Sequence, residues 1–446
     1  MTDRIPPITV WAELDEAARC ELLRRPAQSA GAEITAQVQD ILGQVRGEGD
    51  AALLRLTARF DRVNLDSPLL SREQAQAQAA QVSDAVRRAI DSAYDNIHAF
   101  HAAQQPQPVS VDTAPGVRCE LRWAPIRTVG LYIPGGSAVL PSTVLMLGVP
   151  AALAGCERVI LCSPPDAQGL LSPAVCYAAL KVGVTDFVRV GGAQAAGALA
   201  YGTQSVPRAD KIFGPGNAYV TAAKTLVSAE AGGPAIDMPA GPSELLVVAD
   251  ASAQAAWAAA DLLSQAEHGP DSQVVLVSPE RGLLEAVRGE LARQLPGLPR
   301  RDIAARALAE SRLILTASLD EAAAVADAYA PEHLSLQVAD PEMLTGRIRA
   351  GSVFAGHLTP EAGGDYATGT NHVLPTYGAA RAYSSLGLND FYRRYTVQTV
   401  TAAGLEALAP TVTALAREEG LEAHARAAEV RLSPPIPAPP TQGESR

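Results

Sequence analysis

The sequence predicts an α/β protein that consists of two similar modules with mostly parallel sheets, plus helical segments at the N-terminal and C-terminal ends. Short apolar runs typical of buried strands alternate with helical patterns along the middle of the chain. Two of these runs have a similar sequence and end in the same Ser-Pro pair. The 446 residues provide room for about two to four domains of roughly 100–200 residues each.

The N-terminal region is predicted to be helical. Apolar residues recur at three- and four-residue spacing over 34–60 and 72–103, with few residues that would interrupt a helix. Near the other end, a further helical pattern runs from 404 to about 430. The Pro-rich, polar residues 433–446 are predicted to be disordered.

From about Cys119 the pattern changes to alternating strands and helices. The predicted strands are 129–133, 158–162, 186–190, 244–248, 273–277 and 312–315. Residues 158–164 read RVILCSP and residues 273–279 read QVVLVSP, which indicates two similar modules at about 128–236 and 240–356. Such alternation is typical of Rossmann-like modules with crossover helices. Whether the two modules arose by duplication is left open.

The composition argues against several classes of protein. The chain has 36 Lys and Arg against 48 Asp and Glu, a net charge of −12, so we expect no nucleic-acid partner. The uncharged stretch 128–156 contains Pro and Gly residues that a membrane-spanning helix rarely tolerates, and the N-terminus lacks an apolar signal core. We therefore expect a cytoplasmic protein without membrane contact. Five cysteines without a C-x-x-C pair fit neither a disulfide framework nor a cysteine zinc site.

Three Gly-rich pieces follow or end predicted strands. They are IPGG (133–136), GGAQAAG (191–197) and FGPGN (213–217), and none is a G-x-G-x-x-G motif. Turns at the carboxyl edge of a parallel sheet commonly bind ligands, and glycine lets a phosphate approach the backbone. The three pieces together favour a nucleotide-like ligand, although each alone could be an ordinary turn.

Three groups of polar residues could carry chemistry. Gln265 and His268 are three apart near the end of a predicted helix, so both side chains lie on one face. Asp365 lies in a Gly-rich stretch seven residues before His372, and Glu332–His333 pairs the two commonest proton-transfer side chains. Nitrogen and oxygen ligands without thiolate suit zinc, manganese or iron. Each group also has an ordinary explanation: a surface polar pair, a turn aspartate and two incidental neighbours.

Longer motifs resemble those of the histidinol dehydrogenase family. They are GLYIPGG (130–136), FGPGNAYV (213–220), AIDMPAGPSELLVVAD (235–250), DLLSQAEHGPDSQ (261–273), YAPEHLSL (329–336), GDYATGTNHVLPTYG (364–378) and YSSLGLNDF (383–391). The resemblance runs from about residue 30 to 430 and leaves out both ends. It implies oxidation of L-histidinol through L-histidinal to L-histidine with two NAD+ reduced, the terminal step of histidine biosynthesis.

The resemblance also implies roles for individual residues. The two proton acceptors would be Glu332 and His333, and the NAD contacts would be Tyr132, Gln194 and Asn217. One Zn2+ per subunit would be held by Gln265, His268, Asp365 and His424. Substrate contacts would come from Ser243, Gln265, His268, His333, Asp365, His372, Glu419 and His424.

A homodimer with shared active sites is implied as well. We expect an N-terminal arm at 1–30 and a main catalytic α/β domain in which the helical segment 31–127 joins 237–380. The second α/β module, 128–236, would carry the NAD contacts. The helical segment 381–432 would reach the partner subunit, and 433–446 would form the disordered tail.

Three alternative hypotheses stay open. A related oxidoreductase, such as a sulfopropanediol dehydrogenase, would keep the zinc ligands but lack the imidazole recognition that Glu419 and His424 imply. A metal-dependent hydrolase could use Glu332 to activate water, although the NAD positions argue against it. A non-catalytic nucleotide-binding module would leave the Glu-His pair and the metal-ligand set unexplained.

Overall fold

The computed structural model describes residues 5–26, 31–135, 140–238 and 241–433. These residues form two compact units, one within 1–105 and 126–391 and the other within 106–125 and from 392 onwards. Both α/β modules belong to the first unit, and the second unit is described by itself.

The N-terminal part of the first unit is mainly helical, as the apolar spacing predicts. Its elements are β1 (Ile8–Val10), α1 (Glu16–Leu22), α2 (Gly31–Glu48), α3 (Asp50–Phe60), β2 (Leu69–Leu70), α4 (Arg72–Ala79) and α5 (Asp84–Ala102). Helices α4 and α5 are capped by Ser71 and Ser83, which directly precede them and whose hydroxyls accept hydrogen bonds from backbone amides in the first turn. Serine suits this position because its oxygen satisfies an amide that has no partner within the helix.

Residues 106–125 leave this unit as two strands, β3 (Val109–Ala114) and β4 (Val117–Pro125). The chain then returns to form the first sheet. Its elements are β5 (Thr128–Tyr132), α6 (Pro141–Ala154), β6 (Arg158–Cys162), α7 (Pro173–Lys181), β7 (Asp186–Val188), α8 (Gly192–Tyr201), β8 (Lys211–Phe213), α9 (Ala218–Ala229) and β9 (Ala235–Ile236). The strand order is β2-β7-β6-β5-β8-β9, and all neighbours are parallel except β2 and β7.

The second sheet is parallel throughout. Its elements are β10 (Glu244–Ala249), α10 (Ala255–Ala266), β11 (Gln273–Ser278), α11 (Arg281–Gln294), α12 (Arg301–Ala309), β12 (Arg312–Leu315), α13 (Leu319–Tyr329), β13 (His333–Gln337), α14 (Glu342–Thr345), β14 (Ser352–Ala355) and α15 (Glu361–Tyr366). The strand order is β1-β12-β11-β10-β13-β14. Strands β10 and β11 are buried along their whole length, which explains their uninterrupted apolar runs.

The two sheets share one topology. If the five strands of each module are numbered along the chain, both sheets have the order 3-2-1-4-5, with a strand from the N-terminal region added beside strand 3. This is the order at the core of a Rossmann fold. The predicted fold class, two similar Rossmann-like modules with mostly parallel sheets, is confirmed.

The N-terminal helices pack differently from what the domain expectation implies. That expectation joined the segment 31–127 to 237–380. In the structure, apolar residues of α2 and α3 such as Val38, Leu42 and Leu53 share a core with α8 and α9 of the first module. The close contact is possible because α8 is rich in Ala and Gly, so the apolar stripe of α2 can approach its backbone.

The second unit contains strands that the sequence did not reveal. Its later elements are β15 (Tyr392–Val400), α16 (Ala402–Glu418) and α17 (Glu422–Glu429). Strand β15 pairs antiparallel with β4 over nine residues, and β4 pairs with β3. Strands β3 and β15 are mostly exposed and β4 is mostly half-buried, and polar residues interrupt all three, so they lack the apolar runs that predicted the other strands. The helical segments expected at 31–127 and 381–432 therefore each include strand structure.

The segment predicted to be disordered, 433–446, lies outside the described residues except for Ser433. Within the described ranges, every helix is too short or too polar to cross a bilayer.

Candidate functional site

The two predicted proton acceptors lie at the amino end of a central strand. Strand β13 begins at His333, directly after Glu332, and pairs in parallel with β10, which begins at Glu244. The side chains of Glu332 and His333 are only 8% and 5% exposed. A short turn between α13 and β13 thus places a carboxylate and an imidazole side by side in a largely dry environment.

The main chain of Glu244 holds both of these side chains. Its amide donates a hydrogen bond to Glu332 Oε2 at 2.7 Å, and its carbonyl oxygen accepts one from His333 Nδ1 at 2.9 Å. Since a carbonyl can only accept, the imidazole carries a proton on Nδ1. His333 Nε2 then faces Asp365 Oδ1 and Glu361 Oε1, each at 3.8 Å, and has no hydrogen-bond partner among the described residues.

The carboxylates around His333 determine its protonation. Burial lowers the pKa of His333, but the charge of Glu332 and the nearby Asp365 outweigh burial and raise this pKa well above 6.5. Burial raises the pKa of Glu361, whereas the imidazole of His333 lowers the pKa of Asp365 despite burial. The cluster therefore contains a basic imidazole, that of His333, and two carboxyl groups of unequal acidity, with Asp365 the stronger acid and Glu361 the weaker.

Three of the four predicted metal ligands lie beside Glu332 and His333. Gln265 is fully buried near the end of α10, and His268 follows two residues after the helix. His268 Nε2 lies 3.8 Å from Asp365 Oδ2. The Gln265 amide has its best partners when Nε2 donates to Glu361 Oε1 at 3.1 Å and Oε1 accepts from Glu244 N at 3.3 Å.

This donor set fits a zinc ion by its chemistry. Ligand atoms of His333, Glu361 and Asp365 lie within 4.8 Å of one another, and His268 borders the same space. Imidazole nitrogens and carboxylate or amide oxygens without thiolate are ligands of borderline metals such as zinc. The orphaned His333 Nε2 also shows that the cluster is built to face a further polar group.

The remaining predicted substrate contacts belong to different parts of the structure. Ser243 is half-buried and directly precedes β10. His372 has both ring nitrogens engaged, by Asp365 O at 2.9 Å and by Thr143 Oγ1 at 3.2 Å. Glu419 and His424 are exposed residues of the second unit, at the end of α16 and on α17.

Sequence reasoning missed three residues of this site. Glu361 is fully buried and faces His333, Glu244 supplies the main-chain bonds just described, and Arg25 pairs with the Glu244 carboxylate. Glu361 had a local signal, because it lies four residues before Asp365 and shares a helix face with it. No local sequence pattern indicated a role for Arg25 or Glu244.

The predicted NAD contacts line one cavity at the carboxyl edge of the first sheet. This cavity has a volume of about 1120 Å³, and Tyr132, Gln194 and Asn217 all contribute to its wall. Each lies after a different strand, namely at the end of β5, in α8 after β7, and directly before α9 after β8. The cavity is therefore formed where parallel Rossmann-like strands usually bind nucleotides.

Local hydrogen bonds shape the loops of this cavity. Tyr132 Oη accepts a bond from Gly192 N at 3.2 Å, and burial raises the pKa of Tyr132 to about 12, so its hydroxyl stays protonated. Asn217 Oδ1 caps α9 by accepting from the amides of Tyr219 and Val220. Gly136, the last residue of the first Gly-rich piece, lies outside the described residues.

Comparison with known proteins identifies the family. A family model for histidinol dehydrogenase matches residues 23–432. A histidinol dehydrogenase of Idiomarina loihiensis is 56% identical over 426 residues, which cover 95% of this chain and 96% of that protein. One of Vibrio cholerae is 54% identical over 424 residues, with 95% and 97% covered.

A solved structure agrees with these relatives. The crystal structure of a histidinol dehydrogenase from Elizabethkingia anophelis superimposes with a TM-score of 0.92 at 44% identity, covering 96% of this chain and 98% of that one. The match spans both modules and the C-terminal helices. The chain therefore belongs to the histidinol dehydrogenase family of NAD-dependent oxidoreductases.

Proposed function

We propose that this chain oxidises L-histidinol through L-histidinal to L-histidine with reduction of two NAD+, using one Zn2+ per subunit. The observation that carries this proposal is the convergence of Glu332 and His333 with the donors of Gln265, His268 and Asp365 at one end of the second sheet. The cavity lined by Tyr132, Gln194 and Asn217 supports the cofactor assignment.

Zinc would be held by Gln265, His268 and Asp365 together with His424. When bound, it supplies a Lewis acid that holds the amino alcohol and imidazole of the substrate in one orientation. Asp365 contributes the negative charge, and its depressed pKa keeps it ionised at neutral pH. Ser243, His372 and Glu419 are proposed as further substrate contacts.

His333 acts in the first oxidation by accepting the hydroxyl proton of the alcohol through Nε2. NAD+ supplies the hydride acceptor for each oxidation. His333 must be neutral to accept this proton, and the carboxylates beside it stabilise the imidazolium that then forms. The bond from Nδ1 to Glu244 O keeps the ring oriented while Nε2 gains the proton.

Glu332 acts in the second oxidation. An aldehyde has no hydroxyl proton to lose and must first add water. The Glu332 carboxylate accepts a proton from that water, and its oxygen Oε2 is already oriented by the Glu244 amide. The product is a carboxylate, which accounts for all four electrons removed from the alcohol.

The stoichiometry of the reaction tests this function. We expect about two NADH per L-histidinol consumed, measured by absorbance at 340 nm against substrate loss. A ratio near one would contradict the double oxidation. Absence of NADH would favour the hydrolase hypothesis, and preference for a sulfonated diol over histidinol would favour the related oxidoreductase.

Removal of the metal tests the zinc assignment. A strong chelator should abolish activity while the melting transition persists, and Zn2+ should restore activity, because the proposed site orients substrate and does not hold the fold together. Full activity after chelation, or outright unfolding, would contradict the proposal.

We also propose a homodimer in which the segment carrying Glu419 and His424 completes the partner's site, and a cytoplasmic location. The five cysteines are free in the structure, which suits a reducing compartment. Cell fractionation would test the location.

A further inference from the structure

Arg25 lies near the start of the residues that the family model matches, far along the chain from Glu332 and His333, yet it is linked to this pair through Glu244. Its Nε and Nη2 donate to Glu244 Oε1 and Oε2 at 2.5 and 2.9 Å, a forked ion pair. The two side chains are 12% and 2% exposed. This pair fixes the relative orientation of the two side chains, because two parallel N–H···O bonds form only when the planar guanidinium and the carboxylate are aligned.

Arg25 also contacts the turn that leads to Glu332. Its Nη2 donates to the carbonyl oxygens of Tyr329 and Ala330 at 2.9 and 3.3 Å, and its guanidinium lies 4.0 Å from the centre of the Tyr329 ring. Ala330 has φ of +53°, a left-handed conformation that side-chain-bearing residues adopt at a cost. The contacts of Arg25 therefore stabilise a strained turn two residues before Glu332.

The other end of the link is the residue whose main chain holds both catalytic side chains. Glu244 N binds Glu332 Oε2, and Glu244 O binds His333 Nδ1. Arg25 thus connects the start of β10 with the turn between α13 and β13. The two segments that determine where Glu332 and His333 lie are therefore joined by this guanidinium in addition to the pairing of β10 with β13.

We infer that Arg25 is a positioning residue of the active site, which fixes Glu332 and His333 relative to each other through Glu244 and the Ala330 turn. The inference rests on the proposed roles of Glu332 and His333. The position of Glu332 should depend on Arg25 more than that of His333, because His333 also lies beside the carboxylates of Asp365 and Glu361. Loss of Arg25 should consequently impair the second oxidation more than the first.

Single-turnover kinetics with three variants test this inference. The variants are Arg25→Gln, Arg25→Lys and, as a matched control, Arg24→Gln at the exposed neighbouring arginine, which pairs only with Glu21 on the surface among the described residues. The readout is the rate constant for histidinal oxidation divided by that for histidinol oxidation. This ratio of rate constants does not depend on how much of a variant is folded.

We expect Arg25→Gln to lower the ratio about tenfold, because a displacement of a catalytic group by roughly 1 Å can cost up to about 100-fold in rate. Arg25→Lys should lower it less, since the charge is kept but the fork is lost. Arg24→Gln should leave it unchanged. If Arg25→Gln does not yield folded protein, Arg25→Lys carries the test.

Glu332→Gln serves as the reference for the proposed function. A lowered ratio in both Glu332→Gln and the Arg25 variants supports the inference. A lowered ratio in Glu332→Gln with wild-type ratios in the Arg25 variants overturns the positioning role and leaves the function standing. Wild-type ratios in Glu332→Gln and in the Arg25 variants alike overturn both the positioning role of Arg25 and the proposed role of Glu332 in the second oxidation.

Discussion

Glu361 illustrates how a single buried carboxylate can organise its neighbours. It accepts a hydrogen bond from Ser264 Oγ at 2.7 Å and from the Gln265 amide at 3.1 Å, and it faces His333 Nε2. With the amide nitrogen of Gln265 bound to this carboxylate, the amide oxygen accepts from Glu244 N and keeps a second lone pair that a metal can use. Outer partners of this kind orient metal ligands in many proteins.

We therefore predict that Glu361→Gln weakens zinc binding by about 10- to 100-fold, the range typical for loss of such a partner. Competition with a chromophoric chelator measures the affinity without reference to turnover. Glu285→Gln, at an exposed carboxylate on α11, is the matched control. An unchanged affinity in Glu361→Gln would contradict the orienting role.

The adjacent residues Glu332 and His333 are predicted to serve different steps. Glu332→Gln keeps an oxygen that can accept from Glu244 N, so the local structure should persist. Histidinal oxidation should fall by about 100-fold or more, the contribution typical of a general base, while histidinol oxidation falls far less. Single-turnover assays started from each substrate measure the two rates. Equal losses would refute the division of roles.

At the scale of elements, the loop between β8 and α9 shows how the cavity that we propose for NAD is held in shape. Gly214 has φ of +122°, and its amide donates to Asp237 Oδ2 at 2.8 Å while its carbonyl accepts from Lys224 Nζ at 2.7 Å. Lys224 and Asp237 form a buried ion pair of their own. The loop that carries Asn217 is thus held by hydrogen bonds to both the amide and the carbonyl group of Gly214.

Gly214→Ala should weaken NADH binding by about tenfold, because a β-carbon would collide with the backbone oxygen of Tyr132 and the positive φ would be strained. Equilibrium titration of NADH fluorescence measures the effect. The control is Gly232→Ala, which shares a positive φ but would meet no atom within 4 Å. Similar NADH affinities in the two variants would show that the Gly214 loop does not shape the site.

At the scale of the whole molecule, the first unit contains both the cavity and the Glu-His cluster, whereas Glu419 and His424 belong to the second unit. The proposed homodimer would bring the second unit of one subunit to the cluster of its partner. A two-fold symmetric dimer then has two equal sites, each built from both chains.

Mixed dimers test this arrangement. If Glu332→Gln and His424→Ala chains are mixed equally, dissociated and reassociated, each mixed dimer has one site with both defects and one with neither. Because Glu332→Gln keeps much of the first oxidation, the readout is the rate of L-histidine formation. About half of the dimers are mixed, so this rate should recover to roughly a quarter of wild type by the two-fold geometry. No recovery, with mixed dimers demonstrated by mass spectrometry, would exclude sites shared between subunits.

The sequence by itself determined the features that depend on local pattern. Apolar runs such as 158–162 and 273–277 predicted buried strands, and both appear in the structure as β6 and β11. The Gly-rich loops predicted a ligand cavity. The spacing of Gln265 and His268 predicted a shared helix face, but α10 ends at Ala266 and His268 lies in the turn after it. The resemblance of the longer motifs then predicted the family, which the comparisons confirm.

Only the tertiary structure decided which distant residues meet. Arg25 and Glu244 are 219 positions apart, and the polar strands β4 and β15 pair although neither has an apolar run. The strand order 3-2-1-4-5 brings the starts of β10 and β13 together, so Glu244 can hold Glu332 and His333. Local periodicity reports whether a residue is buried in its own element, whereas such contacts depend on how elements far apart in the chain pack against each other.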